Sequence, residues 1–382
     1  MDLIKNNKVI LTLIVLLGFV LRFLSLKNPI SCYEEGIFSL SAFSFHFDFF
    51  QALKTNCYAP LYYYYQKLWV LVFKNPFFAV LVPSLASIVT MYYAGKNYQT
   101  KNSSTLIGLS CALITAISSY LIYFGIIDKT YSLVFLLSAL VLLYSIKTFE
   151  APSKNHFTLL SIFSILLILS HTIGFIFVLF NVFGLIAFKI KKKKEQVDPF
   201  MVVAAGLVLC LPLIPFLLKM FAHPTFISKW WSPFNWGNIF FLLTDFFSGV
   251  LKNIVSAPVS FYNQLIRDDN INFGFLLFAI LPSAVCLYLI IKSNLESKRI
   301  DKYLLAVTTA SILTILISAI AQKIPFLSKY YIELYPILIL MVSKAWAQLS
   351  SKNLKTALAT IYIFMTLFFI IAARILNFSL LG

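Results

Sequence analysis

The sequence predicts an all-α polytopic membrane protein folded as one domain over residues 1–382, and three observations predict it. The chain is 60% hydrophobic and only 12% charged, where an ordinary soluble domain carries about a quarter charged residues. Its mean hydropathy is +0.88, and 17% of it is aromatic, with 39 Phe, 20 Tyr and 5 Trp. The apolar residues also come in runs near the length of about 20 that crosses a bilayer. A soluble globular enzyme, a disordered chain and a fibrous protein are excluded on these grounds.

Eleven spans are predicted in order, near 9–26, 77–95, 104–124, 131–146, 157–171, 173–188, 199–220, 273–291, 303–321, 331–350 and 356–378. Lys5 and Lys8 precede the first span. It runs on through Arg22-Phe-Leu-Ser-Leu-Lys27 with no small-residue cleavage site, which reads as an uncleaved anchor. The segment 60–74 is apolar but short, with Lys67 in its middle and tyrosines at one end. It is expected to lie flat in the interface rather than cross. The Phe-rich stretch 36–53 reads the same way, so the first outer loop carries two surface helices. The pair within 157–188 has many residues for one crossing and few for two. Lysines on both flanks require a return, so a turn is expected near Ser170-His171-Thr172-Ile173-Gly174. No internal repeat and no long hydrophilic stretch is present.

Charge sets the sidedness. With residues 1–8 inside, the inner segments total 52 residues and hold 17 Lys/Arg, while the outer segments total 121 residues and hold 10. That asymmetry accounts for the net charge of +17 by membrane topology and leaves nucleic acid out as a partner. Lys191-Lys-Lys-Lys194 is then a cytoplasmic stop. The N-terminus is expected inside and the C-terminus outside a bacterial inner or plasma membrane.

Cys111, Cys210 and Cys286 fall inside spans, where a single cysteine acts as a small apolar residue. Cys32 and Cys57 share the first outer loop and form a disulfide or stay as two thiols, depending on the compartment.

Few charges are available for chemistry, so those at outer span ends carry information. Glu34 and Glu35 are adjacent, and adjacent carboxylates serve as a base, hold a cation, or remain solvated loop acids. Arg22 lies inside the first span near its outer end, where it snorkels or pairs with an acid or a phosphate. Asp128-Lys129 occupies a short outer turn, His171 the turn of the short pair, and Lys329-Tyr330 the approach to the tenth span. A site made from these would lie at the outer membrane–water boundary. That place suits a lipid-borne substrate, and equally a transport pathway.

An ordered set of motifs resembles the bacterial branch of glycosyltransferase family 39, of the GT-C type, which includes the protein O-mannosyltransferases and the lipid A aminoarabinose transferase. Leu21-Arg22-Phe23 closes the first span as there. Tyr33-Glu34-Glu35-Gly36-Ile37-Phe38 resembles the family's aromatic-Asp-Glu motif, with Glu in place of Asp. Ala59-Pro60-Leu61-Tyr62-Tyr63 resembles its Pro-Pro-Leu-Tyr-Tyr motif, and Leu81-Val-Pro83-Ser84-Leu85 its Arg-Leu-Pro-Ser-Leu start of a span. Tyr123 through Tyr131 occupies its second outer turn, and Leu169-Ser170-His171 resembles its Thr-His turn. Ser328-Lys329-Tyr330-Tyr331 with Tyr335-Pro336 resembles its Ser-Arg-Tyr segment, with Lys at 129 and 329 where the family has Arg.

The resemblance implies a transferase that moves a sugar from a polyprenyl-phosphate donor to an acceptor hydroxyl of a glycan, lipid or protein, with inversion. It implies catalytic carboxylates at Glu34 and Glu35, Glu34 taking the acceptor's proton. It implies substrate-binding positions at Arg22, Tyr62, Asp128, Lys129, His171, Lys329 and Tyr330, with Lys129, Lys329 and Arg22 the cations available to the donor phosphate. A divalent cation beside the acids is compatible with it. The alternative is a transporter or flippase for a lipid-linked or small polar substrate, which predicts internal symmetry and broken spans at midplane.

Overall fold

The computed structural model describes residues 2–25, 61–73, 77–98, 104–125, 130–171, 173–189, 299–320 and 328–349, with isolated positions between 284 and 291 and between 351 and 364. Among these residues every regular element is helical and no strand occurs. The predicted spans 199–220, 273–291 and 356–378 and the surface stretch 36–53 lie wholly or mostly outside the described residues.

Helix α1 (Asp2–Ser25) leaves Val9, Leu13, Leu16, Leu17, Val20 and Phe23 exposed, an apolar face suited to lipid. Its other face, with Ile14 and Leu21, packs into a cluster with Ile88, Tyr92, Ala112 and Ala116. Helix α2 (Leu61–Phe73) spans only 13 residues, a rise of about 20 Å. That is short of the roughly 30 Å hydrocarbon thickness. Its aromatics at helical spacing stack along one side, Tyr62–Tyr65, Tyr65–Trp69 and Trp69–Phe73 with ring centroids 6.4, 6.0 and 5.1 Å apart. Phe73 then meets Phe78 of the next helix at 5.0 Å.

Helix α3 (Phe77–Asn97) carries Pro83 within it. A proline there removes a backbone donor and frees a carbonyl one turn back. The predicted span 104–124 is two helices, α4 (Ser104–Ile117) and α5 (Ser119–Phe124). The break is written in Ser118, whose hydroxyl accepts a hydrogen bond from Leu121 N at 3.3 Å while its own N–H bonds Ile114 O at 2.9 Å. Serine competes with the helix ladder in this way and caps the next turn. Helix α3 and helix α4 approach closely at Gly95 and Gly108: a Cβ built on Gly108 would stand 2.7 Å from Tyr92 O. Small residues at such a crossing let backbones touch.

Helix α6 (Tyr131–Glu150) is apolar on nearly all sides and lies in the middle of the main core with Val134, Phe135, Val141 and Ile146 buried, as an all-round hydrophobic helix must. The expected return in 157–188 is present. Helix α7 (Lys154–Ser170) and helix α8 (Gly174–Lys189) are separate, and His171 caps the first. Ser153 starts α7 by accepting from His156 N at 3.2 Å. Helix α9 (Arg299–Ile320) begins earlier than predicted and takes Asp301 and Lys302 into its first turn. A 3-10 helix (Ser328–Leu334) leads into helix α10 (Tyr335–Gln348), with Pro336 in the first turn, where a missing N–H costs nothing.

Among the described residues four helices are long and apolar enough to cross a membrane, Asn6–Phe23, Phe78–Asn97, Tyr131–Glu150 and Arg299–Ile320. Three shorter apolar helices, Ser104–Ile117, Lys154–Ser170 and Gly174–Phe188, complete the described bundle. Neighbours run antiparallel: the end of α6 meets the start of α9 through Phe149 and Tyr303 at 5.5 Å, and the end of α8 meets it through Phe188 and Tyr303 at 6.3 Å.

Candidate functional site

Six segments of the chain converge at one end of the bundle, around residues 22, 84, 118, 131, 171 and 335. Arg22 leaves the last turn of α1 and is fully buried, at 0% exposure. Its Nε donates to Ser84 Oγ at 2.5 Å, Nη1 to Gly18 O and Ala116 O, each at 3.0 Å, and Nη2 to Thr115 O at 3.2 Å. Two of those carbonyls belong to the last turn of α4, where the helix breaks. The guanidinium thus caps a helix end whose carbonyls and dipole both favour a cation. The sequence offered snorkelling, or pairing with an acid or a phosphate, for Arg22. In the structure four of its five N–H donors are engaged by protein oxygens instead, so Arg22 acts as a structural cap.

Beyond the break, Ser118 Oγ and Tyr335 OH share a hydrogen bond of 3.0 Å. Tyr120 stacks edge-on against Tyr335 at 5.1 Å, and Phe124 against Tyr131 at 4.7 Å. Thr130 Oγ1 donates to Ser170 O at 3.0 Å, and Tyr131 meets the His171 ring at 6.1 Å and 71°. His171 is fixed from both sides by its backbone, donating to Leu167 O at 2.9 Å and accepting from Gly174 N at 3.0 Å. Its Nδ1 pairs with Oε1 of Glu333, in the 3-10 helix. When the carboxylate is ionised it only accepts, and Nδ1 then carries the proton of that bond. Glu333 is 2% exposed, and its Oε2 is buried with no hydrogen-bond partner among the described residues.

Of the remaining expected positions, Tyr62 is buried in the main core from α2, which packs against α3 and α7. Lys329 and Tyr330 stand in the 3-10 helix that carries Glu333. Glu34, Glu35, Cys32, Cys57, Asp128 and Lys129 lie outside the described residues. Cys111 is a free, buried thiol. Among the described residues no group of three or more His, Cys, Asp or Glu side chains could hold a metal ion.

Two buried charged contacts escaped the sequence reading. Glu333 is the partner of His171. It is also the single acid of the chain's 14 that falls inside a predicted span, and an acid in hydrocarbon marks a pairing or a site. That signal was legible. The second contact lies at the opposite end of the bundle, where Lys344 Nζ sits 2.6 Å from Asp301 Oδ2, each side chain 4% exposed. The ammonium also stands 5.9 Å from the centre of the Tyr98 ring. Nearby, Asn181 bonds Ser145 Oγ at 2.8 Å and accepts from the Tyr303 hydroxyl.

No protein-family model matches this chain, and no curated protein sequence matches it.

Proposed function

We propose that this chain is a membrane glycosyltransferase of the GT-C type, moving a sugar from a polyprenyl-phosphate donor to an acceptor hydroxyl at the outer boundary of a bacterial membrane. One observation carries the reading. The segments holding Arg22, Ser84, Tyr131, His171 and Tyr335 are the ones that resemble the family's motifs, and they meet through side-chain contacts at one end of the bundle. In this reading Glu34 takes the acceptor's proton, Glu35 orients it, and Lys129 and Lys329 face the donor phosphate. The departing phosphate leaves as an anion, so cations suffice and no strong acid is needed.

The experiment compares surface glycans by mass spectrometry in cells with and without the protein. Loss of a defined sugar residue, restored by the wild-type chain, is the expected result; identical glycans would sink the proposal.

A transporter for a lipid-linked substrate is the second reading, favoured by one observation. Two crossings are discontinuous, one broken at Ser118 and one entered through a 3-10 helix, as transport pathways often are. Vesicles reconstituted with the pure protein separate the two readings. A transporter moves labelled polyprenyl-phosphate sugar across the bilayer, and a transferase leaves it where it is.

A further inference from the structure

We infer that Glu333 binds substrate: held by His171 through Oε1, it offers Oε2 to a hydroxyl of the donor's sugar. This rests on the reading of a lipid-linked sugar donor given above.

Buried carboxylates normally have both oxygens satisfied. Here one oxygen is satisfied by His171, and the other is buried with no partner among the described residues. What completes it must donate a hydrogen bond. Of the parts of a polyprenyl-phosphate sugar, the phosphate is anionic and only accepts, and the tail has no polar atom. The sugar hydroxyls are therefore the part that Glu333 can meet. Shielded from water, a hydroxyl-to-carboxylate bond is strong and geometrically selective. Loss of the acceptor leaves that hydroxyl unpaired, which is how a polar pocket rejects the wrong sugar.

The backbone supports such a role. Glu333 lies on a short, tight helix that flows directly into α10, and its neighbours Tyr331, Ile332 and Leu334 are buried in the main core. His171 is clamped by backbone bonds at the α7–α8 turn. Both side chains thus stand on anchored elements, as a residue that selects a ligand must.

The test uses the full-length protein in detergent, with undecaprenyl phosphate and its glucose, galactose and mannose forms as probes. We expect at least one sugar form to bind about tenfold or more tightly than the bare lipid phosphate, the scale of one charge-assisted hydrogen bond. Glu333→Gln should erase that difference and leave affinity for the bare phosphate within about twofold. Survival of the preference in Glu333→Gln overturns the inference, and so does a wild type that prefers no sugar form. If neither lipid binds saturably, the proposed function itself fails and takes the inference with it. A methyl hexoside tests the other source of hydroxyls. Binding of it that depends on Glu333, with no effect on the lipid-linked sugars, would move the residue to the acceptor and overturn the assignment. Should Glu333→Gln not yield monodisperse protein, Glu333→Asp is measured instead. It keeps the charge but withdraws the carboxylate by a methylene, and an unchanged sugar preference overturns the inference.

Discussion

Arg22 shows how one side chain joins three helices. A buried arginine with no carboxylate partner among the described residues is tolerable because four oxygens share its donors. Two of these oxygens belong to a helix end that would otherwise lack partners. Replacing it removes charge-assisted bonds and opens a cavity between α1, α3 and α4. Arg22→Ala is expected to cost roughly 2–4 kcal/mol, read as a lower thermal midpoint in detergent. Arg22→Lys should recover only part of the loss, since one ammonium cannot reach oxygens on both sides of a planar fork. Equal midpoints for wild type and Arg22→Ala would remove the capping role. Glu34 makes a contrasting case, because its proposed role is chemical. Glu34→Gln should leave expression and membrane insertion intact while lowering turnover by about a hundredfold or more. The measurement is recovery of the surface glycan in cells that lack the native protein. Full recovery by the Gln variant would assign the base elsewhere.

At the scale of elements, the bundle is tied by close backbones and by buried polar pairs. Helices α3 and α4 touch at glycines, and the atoms a Cβ on Gly108 would meet first are the backbone oxygen of Tyr92 and its ring. A backbone atom cannot swing away, so Gly108→Leu forces the helices apart. The expected loss is about 1–3 kcal/mol, measured as in the Arg22 series, with Gly108→Ala intermediate. Helices α9 and α10 are joined differently, by Asp301 and Lys344 at 2.6 Å inside apolar surroundings. Removing one partner of such a pair strands a buried charge and costs about 3–5 kcal/mol, whereas replacing both with apolar residues is often close to neutral. Asp301→Leu and Lys344→Met should each destabilise strongly, and the double variant should regain most of the loss. Simple additivity of the two effects would show that the pair is not coupled.

At the scale of the whole molecule, contacts between helix ends constrain the threading. Segments around 22, 84, 118, 131, 171 and 335 meet at one end. Segments around 98, 149, 188, 303 and 344 meet at the other. Such grouping is what successive antiparallel crossings produce. The further step, that the first group faces outward and the chain ends outside after eleven crossings, is tested by a C-terminal reporter active only in the cytoplasm. It should be silent. Activity there would mean an even number of crossings, and α2 would be the first segment to reassign.

The membrane class, the helical content and the places of most described helices were determined by the sequence itself. Hydrocarbon admits only long apolar helices here, so composition and run length carry that information locally. The turn between α7 and α8 was legible for the same reason, since lysines at both flanks of 157–188 demand a return. The end of the bundle where Arg22 and His171 gather was also legible, because both stand at span ends of one side. What the tertiary structure alone decided is how each charge is satisfied. Whether Arg22 meets a phosphate or the carbonyls of α4 depends on which helix lies beside α1. The pairing of His171 with Glu333 joins positions 162 residues apart. Asp301 falls just outside the predicted span 303–321, but α9 begins before it and sets it against Lys344. Hydrogen bonds are short-ranged and directional, and their partners are chosen by packing between helices, which no local pattern along the chain encodes.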